Sequence, residues 1–308
     1  MTDAAQASDL TGVTILGSAN LDVVFSVARI PRPGETLIAD RADRYPGGKG
    51  LNQAVAAARA GAATTFVGAL GRDENGDLLA DTMSTAGVAG DLVRRVSEPT
   101  GQAFIVVDDS GENTIIVASG ANGTVTRLTD KENAAIAASA VLLMQLELPL
   151  PAIEAAALFG RQRGVVTMLN AAPARELPLA MLEDLDYLIV NEHEACLIAA
   201  SDDLETASVT LAGLARRLVV TLGSSGSVLY DGGVEVARIA AVPVTAIDTT
   251  GAGDTYCGAF AAAIAEGMEY DAAARFATAA AALSVQSIGA VPSVPMRDAI
   301  DASLGVVR

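Results

Sequence analysis

The sequence predicts an α/β fold with a mostly parallel central β-sheet, helices on both faces of that sheet, and a small β lid near the N-terminus. Short apolar runs alternate with Ala-rich helical segments, and polar or Gly-rich turns follow most of those runs. Hydrophobic residues make up 51% of the 308 but aromatic residues only 4%, which suits helices packed on a sheet better than an aromatic-rich barrel. We expect one domain over residues 11–308, preceded by a flexible tail of residues 1–10.

Strands are predicted where a short apolar run ends at turn residues. The first run ends at Gly17, and the turn-rich segment 31–34 separates two runs that predict the first part of the lid. The segment 109–112 is a hairpin signal between two further lid strands. The predicted strands are, in chain order, 13–16, 22–27, 36–39, 64–69, 104–107, 114–118, 141–144, 165–169, 187–190, 218–222 and 242–247.

Helices are predicted from high Ala content and from the residues that stop them. Gly61 and Gly87 follow the first two and end them. The predicted helices are 52–60, 74–86, 153–159, 205–215, 254–265, 271–285 and 296–304. Because parallel strands in such sheets place ligands beyond their carboxyl ends, motifs that directly follow a strand carry extra weight.

Charge and rare residues exclude several classes of protein. The formal net charge of −17 makes nucleic acid and anionic membrane surfaces poor partners. The single histidine, His193, excludes a site with several histidine ligands, and Cys196 and Cys257 without a CxxC motif fit a reducing cytoplasm. Neither a signal peptide nor an apolar run of ~18 residues is recognisable, so we expect no membrane span.

The segment Asp248-Thr249-Thr250-Gly251-Ala252-Gly253-Asp254 is the most informative motif. Glycines before a helix let the backbone approach an anion, and the free N–H groups of the first helical turn stabilise it. In a kinase that anion is the γ-phosphoryl group, and Asp254 would accept the proton of the attacking hydroxyl. On spacing alone, an N-capping Asp after a flexible turn is about as good an interpretation.

Other polar groups follow predicted strands, and each is individually weak. Asn20 and Asp22 follow the first strand, Glu147 follows 141–144, and Glu194 lies just after 187–190. Gly47-Gly48-Lys49-Gly50-Leu51-Asn52 offers backbone donors, an ammonium and an amide before a helix. Each also has a structural interpretation as a turn, a solvated loop or a charged first helical turn.

Taken in order, these motifs resemble the ribokinase family of small-molecule kinases, which share the PfkB signatures. The resemblance runs from about residue 13 to 301 and rests on the Gly-Gly-Lys-Gly-x-Asn segment, on Asn191-x-x-Glu194 and on 248–254. The segments 20–22, 33–36, 143–147, 170–175 and 292–295 are similar to those of the ribose-phosphorylating members. The resemblance implies the three-layer αβα fold of that family, and it implies transfer of the γ-phosphate of ATP to the 5-hydroxyl of ribose.

The resemblance also implies roles for particular residues. Asp254 is the implied base, and Gly251, Ala252 and Gly253 form an anion hole. The residues implied to hold the sugar are Asn20, Asp22, Gly48, Lys49, Asn52, Glu147 and Asp254. Those implied to contact the nucleotide are Asn191, Thr221, Gly223, Ser224, Gly226, Gly253 and Thr278.

Two ions and a dimer are implied as well. Glu194 would help to organise Mg²⁺ indirectly, and K⁺ would act as an activator beside the anion hole. The implied K⁺ ligands, several of them through carbonyl groups, are Asp248, Thr250, Ser284, Ser287, Gly289 and Ser293. The lid, with strands from about 22–39 and 101–118, would form the contact of a homodimer.

Several alternatives stay open at this point. Leu51 and the pair 23–24 beside the sugar motif allow a less hydroxylated acceptor such as deoxyribose, and fructose or a nucleoside is a further possibility. Family members often carry a His where this chain has Thr278, so the adenine contact would differ. A sugar-sensing protein that keeps the fold is disfavoured by the intact Asp254 motif, and a dehydrogenase by the missing GxGxxG.

Overall fold

The structure is a computed structural model that describes residues 10–306. The expected tail falls mostly on residues 1–9, which lie outside the described residues, while Leu10 packs against the core. The strands of the described residues are β1 (Val13–Leu16), β2 (Asn20–Val27), β3 (Arg41–Gly47), β4 (Thr64–Gly71), β5 (Val88–Ala89), β6 (Val93–Val96), β7 (Gly101–Asp108), β8 (Asn113–Ala118), β9 (Val141–Met144), β10 (Val166–Asn170), β11 (Tyr187–Asn191), β12 (Arg217–Thr221), β13 (Ser227–Asp231) and β14 (Val234–Ile239).

Helices connect most of the central strands. They are α1 (Lys49–Arg59), α2 (Glu74–Thr85), α3 (Asp130–Ala138), α4 (Leu150–Gln162), α5 (Leu179–Leu182), α6 (Glu192–Ile198), α7 (Leu204–Ala212), α8 (Ala252–Ala265), α9 (Tyr270–Ser284), α10 (Ala290–Ser293) and α11 (Arg297–Ser303). Single 3₁₀ turns occur at Gly120–Thr124 and Gly223–Ser225.

The central sheet has the order β14-β13-β12-β11-β10-β9-β1-β4-β5, with β6 also paired to β4. Its strands are parallel from β12 through β5 and antiparallel only at the β12–β13–β14 end. The predicted mostly parallel sheet is therefore confirmed. The parallel arrangement places the carboxyl ends of β1, β9, β10, β11 and β12 along one edge, where ligands bind in such folds.

Helices cover both faces of the sheet. Successive side chains of each strand point to opposite faces, so each strand contributes to two buried clusters. On β9, Val141 and Leu143 belong to one buried cluster with α1, α8 and α9, and Leu142 and Met144 belong to another with α4 and α7. This is why the central strands are continuous apolar runs. The three-layer αβα architecture follows from these two clusters.

A separate four-stranded sheet forms the lid, in the order β3-β2-β7-β8. The segment 36–39, predicted as a strand, is not one. β2 pairs with β3 along one edge, from Asn20 opposite Gly47 to Ser26 opposite Arg41, and with β7 along the other. The strand that pairs with β2 on the first of these edges is instead β3, which starts at Arg41. The segment 36–39 lies before it in the loop, and Ile38 is 93% exposed.

The predicted strand 242–247 is also wrong. The sheet ends at β14, and the chain then leaves it and reaches the end of α9, where the Ile247 amide donates to the Val285 carbonyl (2.7 Å). Pro243 lacks the N–H that a ladder requires. The last two strands, β13 and β14, are joined by Gly232-Gly233, both with positive φ, a hairpin signal that the prediction did not use.

Candidate active site

Polar side chains collect where the parallel strands end. A cleft of about 830 Å³ lies at this edge and is lined by Asn170, Asn191 and Thr221, the last residues of β10, β11 and β12, and by the first turn of α8. Lys49, at the start of α1, borders the same cleft. The site therefore combines strand ends with the N-termini of α1 and α8. The first backbone N–H groups of α1 donate to Glu147 and Ser18.

Asp254 lies in the first turn of α8 and is almost fully buried. The N-cap of this helix is Gly251, in the left-handed conformation at φ 75°. The carboxylate of Asp254 instead accepts hydrogen bonds from the side-chain amides of Asn52 and Gln53, each at 2.9 Å. Interpretation of Asp254 as an N-capping residue is therefore wrong, and its carboxylate is held by a different helix.

Lys49 is the cation at the centre of the site. Burial disfavours its charge, but the negative groups Asp254, Glu147 and Glu194 outweigh that cost and raise the pKa of the ammonium above its ordinary value. Lys49 therefore stays protonated at neutral pH. It compensates part of the negative charge that surrounds it.

Glu147 organises the residues on the lid side of the cleft. Its Oε2 accepts hydrogen bonds from the Ser18 hydroxyl, from the Asn20 amide (3.3 Å) and from the Lys49 backbone N–H (3.2 Å). Asn20 Oδ1 in turn accepts from Asn122 Nδ2 at 2.8 Å. The end of β1, the start of α1 and the lid are thus joined by one hydrogen-bonded group.

Glycines let the loop before α1 approach β2. A Cβ at Gly47 would lie 2.0 Å from Asp22 Oδ2, and one at Gly48 would lie 2.7 Å from the Asn20 backbone N. Gly48 also has a φ of 91°, which disfavours other residues. The Gly-Gly pair of the sequence motif is therefore required by close approach. It brings Asn20, Asp22 and Lys49 to the same place.

Asp22 is an unusual carboxyl group, because burial, together with the neighbouring charges of Glu147 and Asp254, raises its pKa from 3.8 to about 7. Lys49 acts in the opposite direction but does not cancel them. Near neutral pH this group exists in both protonation states, so it is able to accept or to donate a hydrogen bond.

The raised pKa of Asp22 predicts a pH-dependent stability. Between about pH 4 and pH 7 the folded protein keeps a proton that the unfolded chain has lost, so the free energy of unfolding falls as pH rises through this window. We expect Asp22→Asn to reduce that fall by about 1–3 kcal/mol, less than the ~4 kcal/mol of a fully buried group. Urea unfolding at pH 5 and pH 8 measures it; Asp40→Asn, on the exposed side of the lid, is the control and should match wild type. An unchanged fall in Asp22→Asn would contradict the assignment.

The nucleotide-contact residues implied by the resemblance come together, since all of them line the large cleft: Asn191, Thr221, Gly223, Ser224, Gly226, Gly253 and Thr278. The segment Thr221–Gly226 is both the turn between β12 and β13 and part of this wall. Opposite it lie apolar residues of the 241–246 loop and of α9, and Thr278 donates its hydroxyl to the Ala274 carbonyl.

Glu194 and Asn191 form a capping box at the start of α6. The Asn191 N–H donates to Glu194 Oε2, and the Glu194 N–H donates to Asn191 Oδ1, both at 2.8 Å. Burial raises the pKa of Glu194. The structural interpretation of this pair is thus correct. Both residues also border the cleft. Among residues 10–306, no group of three or more His, Cys, Asp or Glu side chains is arranged to hold a metal ion.

The residues implied for a monovalent cation lie on two loops that Asp248 joins. Its two carboxylate oxygens accept from the backbone N–H of Thr250 (2.9 Å) and of Gly289 (2.8 Å). The hydroxyls of Ser284 and Ser293 donate to the Ala281 and Ala290 carbonyls. A set of carboxylate and carbonyl oxygens of this kind suits K⁺.

Sequence reasoning missed a second layer of buried amides around the site. Gln53 is bonded to Asp254 and Asn122 to Asn20, and Gln145 and Asn170 are bonded to Gln53. Gln53 directly follows Asn52, and Gln145 lies two positions before Glu147, so proximity to recognised motifs was the available signal. For Asn122 no such signal exists, because its 3₁₀ turn is remote in sequence from the other site residues.

This α/β fold, with acidic and amide side chains at the carboxyl edge and a Gly-rich helix N-terminus, defines a kinase of small polar molecules. Residues 10–297 match the pfkB family of carbohydrate kinases, and the chain belongs to that family. Its relatives include the ribokinase of Haemophilus influenzae, 40% identical over 92% of this chain and 95% of that protein, and that of Bacillus subtilis, 37% identical over 95% and 99%. Among solved structures, Arabidopsis thaliana ribokinase complexed with ribose and ATP superposes with a TM-score of 0.90 at 34% identity, covering 97% of this chain and 100% of that one.

The structure of the described residues contains no helix of the length and apolar character needed to cross a membrane.

Proposed function

We propose that this protein transfers the γ-phosphoryl group of ATP to the 5-hydroxyl of D-ribose, giving ribose 5-phosphate and ADP. One observation carries the proposal. The Asp254 carboxylate, at the N-terminus of α8, lies between the cleft and the hydrogen-bonded group that Glu147 forms with Ser18 and Asn20 on the lid side. Asn52, which donates to this carboxylate, lies on α1 close to Lys49, whose backbone N–H donates to Glu147 on the lid side. Gly251 and Gly253 border the cleft beside Asp254. A base is needed at this junction of an acceptor and a phosphoryl donor.

The sugar occupies the lid side of Asp254. Asn20, Asp22, Asn52 and Glu147 offer amide and carboxyl groups, which suit the paired donors and acceptors of a polyol. Gly48 and Lys49 border them from the start of α1. Leu51 belongs to the buried core, so it does not support a less hydroxylated sugar.

Asp254 removes the proton of the attacking hydroxyl, whose oxygen forms the new bond to phosphorus while the bond to the ADP oxygen breaks. The backbone N–H group of Gly253, in the first turn of α8, stabilises the charge on the transferred group. The Ala252 N–H would exchange its bond to the Thr249 carbonyl (3.2 Å) for the same role. Lys49 remains protonated and adds positive charge nearby. Exclusion of water by the lid prevents hydrolysis of ATP.

The oxygen donors of the site support the two ions that the resemblance implies, Mg²⁺ and K⁺. Mg²⁺ suits a site with one carboxylate near the phosphates, because it usually retains several waters, and Glu194 would hold it indirectly. The Mg²⁺ ion would neutralise part of the negative charge of the phosphates. K⁺ would lie at the Asp248 loop with Thr250, Ser284, Ser287, Gly289 and Ser293, and would hold this loop beside the anion hole.

A panel of acceptors tests the function. ADP formation is measured with ribose, 2-deoxyribose, fructose and adenosine, with and without Mg²⁺, in K⁺ or in Na⁺. We expect the highest kcat/KM for ribose, a requirement for Mg²⁺ and a faster reaction in K⁺. A higher kcat/KM for another acceptor would reassign the substrate, and sugar binding without ADP formation would indicate a sensor.

We also propose a homodimer formed through the lid. Strands β7 and β8 expose Phe104, Ile115, Ile116 and Val117, with Ile116 at 66% exposure, and such patches mark association surfaces. Ile116→Glu should convert a dimer to a monomer in sedimentation experiments, while Val209→Glu, on the exposed side of α7, should not. A wild-type monomer at micromolar concentration would contradict the proposal.

The free Cys196 and Cys257 support a cytoplasmic location, which cell fractionation tests.

A further inference from the structure

The buried amide behind Asp254 has no role in the function described so far. Gln53 has no exposed surface, and its Nε2 donates both to Asp254 Oδ1 (2.9 Å) and to Asn170 Oδ1 (3.0 Å). Its Oε1 accepts from Gln145 Nε2 at 2.7 Å. Every polar atom of this side chain is therefore in use.

The orientation of the Gln53 amide is fixed from two sides. Asn170 presents its oxygen to Gln53 because its own Nδ2 donates to the Ile189 carbonyl at 3.3 Å. Gln145 presents its Nε2 to the Gln53 oxygen. A reversed amide would place its oxygen against the Asp254 and Asn170 oxygens and its nitrogen against Gln145 Nε2, so only the present orientation pairs every polar atom of Gln53.

The backbone geometry supports the same arrangement. Gly258 lies one turn beyond Asp254 on α8, and a Cβ there would come 2.3 Å from the Gln53 carbonyl oxygen and 2.5 Å from Ala56 Cβ. Its glycine lets α8 pack closely on α1. That distance places consecutive residues of α1, Asn52 and Gln53, within hydrogen-bond reach of the two oxygens of one carboxylate.

We propose that Gln53 is a positioning residue for the reaction: it holds Asp254 by Oδ1 so that Oδ2 faces the acceptor hydroxyl. Asn52, which donates to Oδ2, borders the sugar side, whereas Gln53 lies behind the carboxylate with Gln145 and Asn170. The hold is made by neutral amides, so it fixes direction without adding charge. This inference rests on the proposed function, because it assigns Asp254 as the base.

The predicted kinetic signature is a loss of kcat with little change in KM. Gln53 bonds side chains rather than lining the cleft, so substrate affinity should be preserved, while a base misplaced by about 1 Å costs on the order of 100-fold in rate. A residue important only for folding would instead lower the melting temperature and the fraction of active enzyme and leave kcat per active site unchanged.

The test compares Gln53→Leu and Gln53→Met, which remove the hydrogen bonds of this side chain without adding charge, with Gln162→Leu on the exposed side of α4. We expect the wild-type protein to phosphorylate ribose. In both Gln53 variants we expect kcat to fall roughly 30-fold or more, while KM for ribose and for ATP stays within about threefold of the wild-type value. Active sites are counted by calorimetric titration with ribose, and any unfolded variant is replaced by Gln145→Leu, which removes the group that fixes the Gln53 oxygen. A wild-type kcat in the Gln53 variants, or a fall explained by fewer active sites, would overturn the inference. An inactive wild type with every acceptor would instead overturn the proposed function.

Discussion

Asp254→Asn is expected to lower kcat for ribose phosphorylation by roughly 10³-fold, because a general base contributes about 10²–10⁴ to the rate. Asn keeps the size of the side chain, but its single oxygen accepts from only one of the Asn52 and Gln53 amides, and it cannot take a proton at neutral pH. Ribose binding should remain within several-fold of wild type. Initial rates and calorimetric titration with ribose measure the two effects separately.

The matched control for this variant is Asp298→Asn, an exposed Asp in the first turn of another helix, α11. It makes the same chemical change in the first turn of a helix, away from the cleft, and should keep the wild-type kcat. If Asp254→Asn retains more than about a tenth of wild-type kcat, a general-base role is contradicted.

Gly253→Val is expected to lower kcat/KM for ATP by about 100-fold or more without destabilising the protein. A Cβ at Gly253 meets no atom within 4 Å, because this residue is exposed to the cleft at the start of α8. The added methyl groups would therefore occupy the space in which the phosphoryl group must approach the backbone N–H groups. Steady-state kinetics with varied ATP, together with thermal unfolding, measures both parts.

Gly251 provides the contrast on the same loop. Its φ is 75°, and a Cβ there would lie 2.8 Å from the Ala290 Cβ, so Gly251→Val should lower the melting temperature as well as the rate. Gly90→Val, at an exposed glycine remote from the cleft, should change neither. A Gly253→Val variant with normal kcat/KM for ATP would remove the anion hole from this loop.

The parallel sheet was predictable because its strands are buried on both faces. Runs such as Val141–Met144 contain four apolar residues in succession, and that pattern survives any tertiary arrangement with helices on both sides. The segment 36–39 has a similar local pattern but pairs with no strand, and residues 41–47 occupy the edge of β2 instead. Strand pairing is a property of neighbours, so a local pattern does not determine it.

The site was predictable where a motif is continuous and not where it depends on packing. Lys49 and Asn52 belong to one motif, and their proximity to Glu147 and Asp254 follows from the resemblance alone. The position of Asn122, 102 residues from the Asn20 side chain that it contacts, depends on the lid joining the end of β1. Likewise, Asp254 could not be distinguished from an N-cap until the structure showed its partners on α1.

Phosphorus NMR of the reaction product tests the central claim most directly. Ribose, ATP and Mg²⁺ are incubated with the wild-type protein in K⁺, and the new phosphorus signal is correlated with the sugar protons. The account predicts a single sugar phosphate whose phosphorus couples to the C5 methylene protons, and no such product from Asp254→Asn over the same time. A phosphate at another position of ribose, or formation of the product at the wild-type rate by Asp254→Asn, would contradict it.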